Sequence, residues 1–257
     1  MTVPQQDSAL WVRQFHPAAD AKVRLVCLPH AGGSAPFFFQ LSRALSPEVD
    51  VLSIQYPGRQ DRRDEQPIDD LNVLVDRLFP VLRERADRPL VLMGHSMGAV
   101  LAYELARRFE AADAAPLGLI ASGRRAPSVP RDENAHTLGD DAFIAEIRSL
   151  SGTAASLLED DELIRMILPA LRADYKAIET HQPAPEPRLR CPVGVLTGES
   201  DPRVSLDEAS AWRAHTTGGF HFRSFTGGHF YLNDHQAGVA ASVSEFIAAF
   251  TKEAASG

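Results

Sequence analysis

A serine that could act as a nucleophile lies at position 96, inside the segment Gly-His-Ser-Met-Gly. The apolar run PLVLMG leads into this segment, and apolar residues at helical spacing follow it from Met97 onward. In a nucleophile elbow of the form G-x-S-x-G, a strained strand-to-helix turn lifts the serine hydroxyl above the strand ends. Gly94 and Gly98 are needed there because side chains would clash as the backbone reverses. The pattern predicts Ser96 as the nucleophile of an acyl-transfer reaction.

A histidine and an acidic residue follow at positions that such a serine requires. A serine hydroxyl is a poor nucleophile unless a base accepts its proton and an acid orients that base. His229 lies in the glycine-rich turn after the run FHFRSF, and Asp201 follows the run VGVLTG. The order serine, aspartate, histidine is the one expected after such an elbow. We therefore predict His229 as the base and Asp201 as the acid, with Glu199 as the alternative acid.

The other eight histidines are predicted to have other roles. His95 lies within the elbow, where we expect its ring to pack beside the serine. His30 opens a glycine loop, which we expect it to shape. The remaining six are interpreted as surface or core residues: His16, His136, His181, His215, His221 and His235.

Two backbone amides are candidates for stabilising an oxyanion. The first is the N–H of Met97, directly after the nucleophile, and the second is an N–H in the loop after an earlier strand. The loop LPHAGGSAP, residues 28–36, follows the run VRLVCLP, and its small residues allow a substrate to approach the backbone. We predict Ala31 as the second donor. The alternative interpretation of this loop is a simple strand-to-helix turn.

The elements that must position these residues alternate between strands and helices. Buried parallel strands are predicted for six apolar runs, at 23–29, 49–57, 89–94, 117–122, 193–198 and 220–225. Helical spacing of apolar residues occurs between them, at 37–45, 68–85, 97–109, 205–215 and 237–250. The alternation predicts an α/β fold with a mostly parallel, doubly wound sheet.

One interval departs from this alternation. Between residues 123 and 192 no strand pattern occurs, whereas residues 140–150 and 160–181 have helical spacing. We interpret the interval as a helical insertion over one edge of the sheet. A length of 257 residues fits one α/β domain, so we predict a single domain over residues 1–257.

The composition is that of a globular protein, and it excludes several classes of function. Hydrophobic residues make up 44% of the chain, charged residues 23%, and the formal net charge is −8. We therefore expect no nucleic-acid partner, and no apolar run reaches the length of a membrane helix. The lack of a signal-peptide pattern, with Cys27 and Cys191 inside apolar runs, indicates a cytoplasmic protein with buried thiols. No metal or cofactor motif occurs, so we expect neither.

Seven segments together resemble one known family: LPHAGGSA, QYPGR, GHSMGA, SGRRAP, LRADYKAIETH, TGESDP and GGHFYL. The combination is similar to the stand-alone type II thioesterases of the α/β-hydrolase superfamily, which accompany modular polyketide and nonribosomal peptide synthases. The similarity covers nearly the whole chain and implies an α/β-hydrolase fold with a helical lid at approximately 123–192. It also implies hydrolysis of acyl thioesters from the 4′-phosphopantetheine arm of acyl or peptidyl carrier proteins, as an editing step.

Several residues take on roles through this resemblance. The family triad is matched by Ser96, Asp201 and His229, and the oxyanion donors by Met97 and Ala31. One departure is Gln60, which stands after QYPGR where many relatives carry glycine. We expect it to alter a loop near the entrance and not the chemistry.

Acyl selection and carrier docking are also expected from the resemblance. Selection is assigned to the lid and to Phe37, Phe38 and Phe39, with core packing as the alternative for at least two of the three. Carrier proteins are usually acidic, so we expect Arg59 and Arg124 to contact the carrier or the phosphate of its arm. They belong to a set of arginines in two loops, with a solvated charged face as the alternative interpretation: Arg59, Arg62, Arg63, Arg124, Arg125 and Arg131.

Other functions stay open at this point. An enzyme of the same fold could act on oxygen esters or on small acyl-CoA thioesters. A non-catalytic binding or scaffold protein is a further alternative, against which the ordered serine, aspartate and histidine argue. A terminal release domain of a synthase is another, against which the start at Met1 without a carrier-like segment argues. We expect a monomer.

Overall fold

A twisted sheet of seven strands forms the centre of the computed structural model, which describes residues 9–151, 161–183 and 187–256. The strands are β1 Val12–Arg13, β2 Val23–Leu28, β3 Val49–Ile54, β4 Leu90–His95, β5 Gly118–Ser122, β6 Val193–Gly198 and β7 Phe220–Phe225. Their order is β1-β3-β2-β4-β5-β6-β7. Only β1 runs antiparallel to its neighbour among these strands. The carboxyl ends of the six parallel strands therefore meet at one edge of the sheet.

Helices cover both faces of this sheet. They are α1 Phe39–Leu45, α2 Leu71–Arg83, α3 Met97–Ala111, α4 Asp140–Ser151, α5 Asp161–Thr180, α6 Leu206–Ser210, α7 Tyr231–Asp234 and α8 Gln236–Ser256. α2 packs against α3 on one face, and α1 packs against α8 on the other. This arrangement explains why every residue of β3, β4, β5 and β6 is buried.

Two apolar clusters, one for each face, hold the layers together. The larger includes Leu78 of α2 and Phe109 of α3, and the other includes Phe246 and Phe250 of α8. The α8 phenylalanines lie directly on strand glycines, since a Cβ built on Gly118 would lie 2.2 Å from the Phe250 ring. Close packing of this kind fixes the strand ends that carry the site.

The α/β fold and its mostly parallel sheet are confirmed, and the six predicted strands are present with ends shifted by up to three residues. β1 was not predicted, because a two-residue strand is too short for any periodic pattern. The helix predicted at 205–215 is α6 followed by a 3₁₀ turn, Ala211–His215. α2 begins at Leu71 because the Asp70 carboxylate caps it, accepting hydrogen bonds from the N–H groups of Asn72 and Val73.

The interval 123–192 contains α4 and α5, together with a 3₁₀ turn at Ala135–Thr137. Ile147 of α4 and Leu171 of α5 line a cavity that also reaches Ser96. These helices therefore lie above the edge of the sheet at which the carboxyl ends of the parallel strands meet. Residues 152–160 and 184–186 lie outside the described residues. The division into one domain with a lid at 123–192 stays a prediction.

Two further expectations from the sequence can be compared with the described part of the chain. No helix in it is long and apolar enough to cross a membrane. Cys27 and Cys191 are free and buried, and burial raises the pKa of both thiols. Neither cysteine is therefore a ready nucleophile.

Candidate active site

Ser96 occupies a strained turn between β4 and α3. Its φ of 54° and ψ of −115° are unusual for a residue with a side chain. A Cβ on Gly94 would lie 1.9 Å from the carbonyl oxygen of Gly98, and a Cβ on Gly98 would lie 2.0 Å from that of Leu28. The Ser96 N–H donates to the carbonyl oxygen of Ser122 at the end of β5, at 2.8 Å. The local sequence thus produces the elbow geometry that was predicted from it.

His229 and Asp201 meet beside this elbow, each from the loop after a neighbouring strand. Nδ1 of His229 lies 2.8 Å from Oδ2 of Asp201, and both side chains are buried. The other Asp201 oxygen accepts a hydrogen bond from the Arg203 N–H at 2.8 Å. A carboxylate at Nδ1 favours the tautomer with the proton on Nδ1, which leaves Nε2 free to accept the serine proton.

Glu199, the alternative acid, does not bond to His229. Glu199 is exposed, and its carboxylate accepts a hydrogen bond from the Ser224 hydroxyl at 3.0 Å. Of the two acidic residues considered, only Asp201 therefore orients the imidazole.

The two predicted oxyanion donors also come to the same place. Met97 begins α3, so its N–H is one of the helix amides without an intrahelical acceptor. Ala31 lies in the loop after β2 and lines the same cavity as Ser96, Met97 and His229. The positive end of the α3 dipole favours negative charge at this point.

Two further histidines surround the triad and stay uncharged. His95 is buried, and its Nδ1 lies 2.9 Å from the Ser122 hydroxyl, which in turn lies 2.6 Å from the Tyr231 hydroxyl. Burial, followed by the fields of His229 and His30, holds the pKa of His95 well below its usual range. Burial likewise lowers the pKa of His30 to about 3. His95 packs 5.0 Å from the His229 ring between centroids, in the packing role that we expected.

The other six histidines form hydrogen bonds away from the triad. Their partners are as follows: His16 with Ser42, His136 with Glu179, His181 with Glu104, His215 with Ser128, His221 with Glu253 and His235 with Thr226. These contacts are structural, so none of the six competes with His229.

A cavity of about 300 Å³ extends from the triad beneath α4 and α5. Its apolar wall includes residues from α4 and α5: Ile147, Ile167, Leu171, Tyr175 and Ile178. Phe37 and Phe230 lie on the sheet side. A concave, mostly apolar space next to a serine and a histidine is suited to an acyl chain whose carbonyl is attacked at its mouth.

Residues 23–249 match the family model for the thioesterase domain. The chain belongs to the thioesterase family. It is similar to a probable cadicidin biosynthesis thioesterase of Streptomyces griseus, 50% identical over 96% of this chain and 68% of that protein. It is 49% identical to thioesterase PikA5 of Streptomyces venezuelae, over 94% of this chain and 86% of that protein. Among solved structures, the type II thioesterase BorB from the borrelidin biosynthetic cluster matches with a TM-score of 0.88 and 50% identity, over 93% of this chain and 98% of BorB.

These similarities confirm the resemblance to type II thioesterases and the α/β-hydrolase fold. The thioesterase is therefore a hydrolase that acts on thioesters. The roles of individual residues within it stay predictions that rest on the geometry described above.

The structure contradicts the predicted contact between Arg59 and a carrier protein. Its side chain is 7% exposed and forms an ion pair with Asp174, so it cannot reach a carrier protein. Arg62 and Arg125 are buried as well, and pair with Glu65 and Glu133. Sequence spacing placed these arginines in surface loops, but it could not show that carboxylates from other segments cover them.

Arg124 is half-buried and lines the cavity, with its guanidinium 3.9 Å from the Glu133 carboxylate. Burial, followed by the field of Arg125, lowers the pKa of Arg124 to about 10, which leaves it charged at neutral pH. Arg124 therefore faces the cavity beside Ser96 and not an open docking surface.

The three phenylalanines have three different environments. Phe37 lines the cavity, Phe38 is 1% exposed in the core, and Phe39 is 40% exposed at the surface. Only Phe37 is placed to contact an acyl group.

Gly123 and Asp174 border the site but were not singled out in the sequence. Gly123 has a φ of +56°, and a Cβ there would lie 2.5 Å from the His95 ring. Asp174 interrupts the apolar stripe of α5 between Leu171 and Ile178, and it is 2% exposed. The sequence could have indicated Asp174, because a carboxylate that occurs at helical spacing among apolar residues lies on the buried face of the helix.

Metal chemistry has no candidate centre among the residues that the structure describes, since no group of three metal-ligating side chains occurs there. Our expectation that the enzyme needs no cofactor stays a prediction.

Proposed function

We propose that this thioesterase hydrolyses acyl thioesters carried on the 4′-phosphopantetheine arm of carrier proteins, as an editing enzyme of polyketide or nonribosomal peptide biosynthesis. The observation that carries the proposal is the His229–Asp201 hydrogen bond of 2.8 Å beside the Ser96 elbow, at the mouth of the lid-covered cavity. The biosynthetic thioesterases to which the chain is similar support the choice of substrate.

The reaction follows from the roles of these groups. His229 accepts the Ser96 proton as the hydroxyl oxygen attacks the thioester carbonyl, and the resulting oxyanion accepts hydrogen bonds from the N–H groups of Met97 and Ala31. The C–S bond then breaks, and the pantetheine thiol leaves with the proton held by His229. In the second half, His229 removes a proton from water, which attacks the acyl-serine carbonyl. The bond between the acyl carbon and Oγ of Ser96 then breaks, His229 returns the proton to Oγ, and the carboxylic acid is released.

The proposed substrate fits the cavity in two respects. A volume of about 300 Å³ accommodates a short or medium acyl chain against the apolar wall of α4 and α5. Arg124 would then offer hydrogen bonds to carbonyl oxygens of the bound arm, which replaces the docking role that we first expected for it. The substrate itself supplies the pantetheine, so the proposal needs no resident cofactor.

The test compares substrates with one preparation of enzyme. Acetyl-, propionyl- and longer acyl-carrier proteins are measured beside the same acyl groups on coenzyme A and beside aryl esters. We expect the highest kcat/KM on acyl-carrier proteins, and loss of turnover in Ser96→Ala by a factor on the order of 10⁴ or more. Equal activity on carriers and simple esters would favour a general esterase or acyl-CoA thioesterase. Turnover in Ser96→Ala equal to the wild type would contradict the nucleophile.

A further inference from the structure

The loop that carries Ala31 is anchored on one side by the segment that follows β3. The Tyr56 hydroxyl donates to the Pro29 carbonyl oxygen at 3.2 Å, and the Ala35 N–H donates to Oε1 of Gln55 at 3.1 Å. Both anchoring side chains are buried. The two ends of the loop are thus held by side chains that directly follow β3, and these two hydrogen bonds do not reach the residues at the centre of the loop.

The centre of the loop is a tight turn. The Gly33 N–H donates to the His30 carbonyl oxygen at 2.9 Å, which closes a four-residue turn with Ala31 and Gly32 in the middle. Gly32 has a φ of +74°, the value that a type II turn requires at its third residue. Type I and type II turns differ in the direction of the central peptide, here the one between Ala31 and Gly32. Whatever binds the Gly32 N–H therefore selects the direction of that peptide.

The acceptor for that N–H comes from the lid. Oδ2 of Asp174 on α5 accepts a hydrogen bond from the Gly32 N–H at 2.7 Å, across 142 residues of sequence. Leu171, one turn earlier on α5, packs on the same glycine, where a Cβ would lie 2.6 Å from its Cδ1 atom. α5 therefore touches the turn through both a hydrogen bond and an apolar contact.

The Asp174 carboxylate is held in turn by Arg59. The two side chains form a buried ion pair, and the Arg59 guanidinium also donates to the Pro57 carbonyl oxygen at 2.8 Å. Burial raises the pKa of Asp174, against the opposing effects of Arg59 and the Gly32 N–H. Buried ion pairs contribute little net stability compared with apolar residues of the same volume. A contribution to stability therefore does not explain why this ion pair is buried here. The contact with the Gly32 N–H gives the pair a specific role.

We propose that Asp174 is a positioning residue, through which the lid helix α5 holds the Ala31–Gly32 turn against the cavity, so that the neighbouring peptide, which carries the Ala31 N–H, stays beside Ser96. Because α5 also supplies the cavity wall through Leu171 and Ile178, closing the cavity and completing the oxyanion hole become one event. The inference rests on the proposed function, since it needs Ala31 as an oxyanion donor.

The decisive variant is the double substitution Arg59→Met, Asp174→Leu. It replaces both charged partners by apolar side chains and leaves no unpaired buried charge, so we expect it to fold. The Gly32 N–H loses its acceptor, and kcat on propionyl-carrier protein should fall by on the order of 10²-fold, as for the loss of one oxyanion donor. KM should stay within about twofold, because substrate binding does not use the hole.

Two single variants separate the hydrogen bond from general damage to the lid. Asp174→Asn keeps an oxygen acceptor for the Gly32 N–H, and we expect it to retain kcat within about tenfold of the wild type. Asp69→Ala is the matched control, because it removes an exposed ion pair between Lys176 of the same helix and Asp69, at 2.6 Å. It should leave kcat and KM unchanged.

The outcomes distinguish this inference from the proposed function. If Ser96→Ala is inactive and the double variant keeps wild-type kcat, the role of Asp174 is wrong and the proposed function stands. If the double variant folds and raises KM with an unchanged kcat, α5 serves substrate binding only, and the inference is likewise overturned. A loss of turnover in Asp69→Ala equal to that of the double variant would assign the effect to lid stability, which also overturns it.

Discussion

At the scale of single residues, the proposed mechanism requires the imidazole of His229 to become charged during the reaction. Its neighbours His30 and His95 stay neutral, because burial lowers the pKa of each. The charged group that lies directly against the His229 ring is the Asp201 carboxylate, at 2.8 Å from Nδ1. In the proposed mechanism, this carboxylate stabilises the imidazolium that forms during catalysis.

We expect Asp201→Asn to lower kcat on an acyl-carrier substrate by on the order of 10³–10⁴, because an amide at Nδ1 favours the wrong tautomer of His229. KM should change little, since Asp201 is buried away from the acyl chain. The measurement is steady-state hydrolysis at neutral pH.

Glu199→Gln is the control for this prediction, because Glu199 lies two residues away, is exposed and bonds to Ser224. It should retain kcat within about twofold. A larger loss in Glu199→Gln than in Asp201→Asn would show that the wrong carboxylate has been assigned.

The three residues of the predicted triad, which the structure brings together, share one property. Ser96, Asp201 and His229 each follow an apolar strand, and parallel strands bring their carboxyl ends to a common edge. Proximity could therefore be inferred without any knowledge of side-chain contacts. Arg59 could not be placed in this way, because its partner Asp174 lies 115 residues later on a helix whose position over the sheet no local pattern encodes.

At the scale of secondary-structure elements, the site depends on how closely α3 approaches the end of β2. The approach is limited by Gly98, where a Cβ would meet the Leu28 carbonyl oxygen at 2.0 Å. Leu28 is also the residue from which the Ala31 loop departs. The distance between Met97 and Ala31, the two proposed oxyanion donors, therefore depends on the lack of a side chain at Gly98.

Gly98→Ala should accordingly push α3 away from β2 and separate Met97 from Ala31. We expect a loss of unfolding free energy of about 2–3 kcal/mol from overpacking, measured by urea denaturation. The rate of reaction of Ser96 with a fluorophosphonate probe should fall as well, since it depends on the same hole.

Gly139→Ala is the matched control, because nothing lies within 4 Å of a Cβ at that position. It lies just before α4, so we expect a change below about 1 kcal/mol and an unchanged rate of labelling. Equal effects of the two substitutions would show that the close approach at Gly98 is not what holds the elbow.

Strands and helices differed in how well the sequence predicted them. Continuous apolar runs predicted the buried strands well, because both faces of each are covered. Helix ends were predicted less well. The helix predicted from residue 68 begins at Leu71 in the structure, because the Asp70 cap decides the boundary. The position of α4 and α5 above the strand ends required tertiary contacts that no periodic pattern contains.

At the scale of the whole molecule, the arginines of the two loops do not form the open basic patch that the sequence suggested. All six arginines of the predicted patch lie within 4.0 Å of a carboxylate. Three of them are also buried: Arg59, Arg62 and Arg125. These arginines share five carboxylates, because Arg124 and Arg125 both approach Glu133, and the Arg63–Asp64 pair is exposed. Most of the positive charge of these loops is therefore paired with carboxylates, while the chain as a whole carries −8.

This charge balance predicts how the enzyme meets an acidic carrier protein. With most of these loop arginines paired, the net charge of −8 makes the long-range force between the enzyme and an acidic carrier repulsive, and salt screens it over a Debye length of about 10 Å at 0.1 M. Raising the ionic strength from about 20 to 150 mM should therefore lower KM for acyl-carrier protein by roughly twofold, with kcat unchanged. The same acyl group on an uncharged pantetheine thioester is the control, and its KM should not depend on salt. A KM that rises with salt for the carrier alone would show that attraction to a basic face dominates, and the internal pairing of the arginines would then not describe the docking surface.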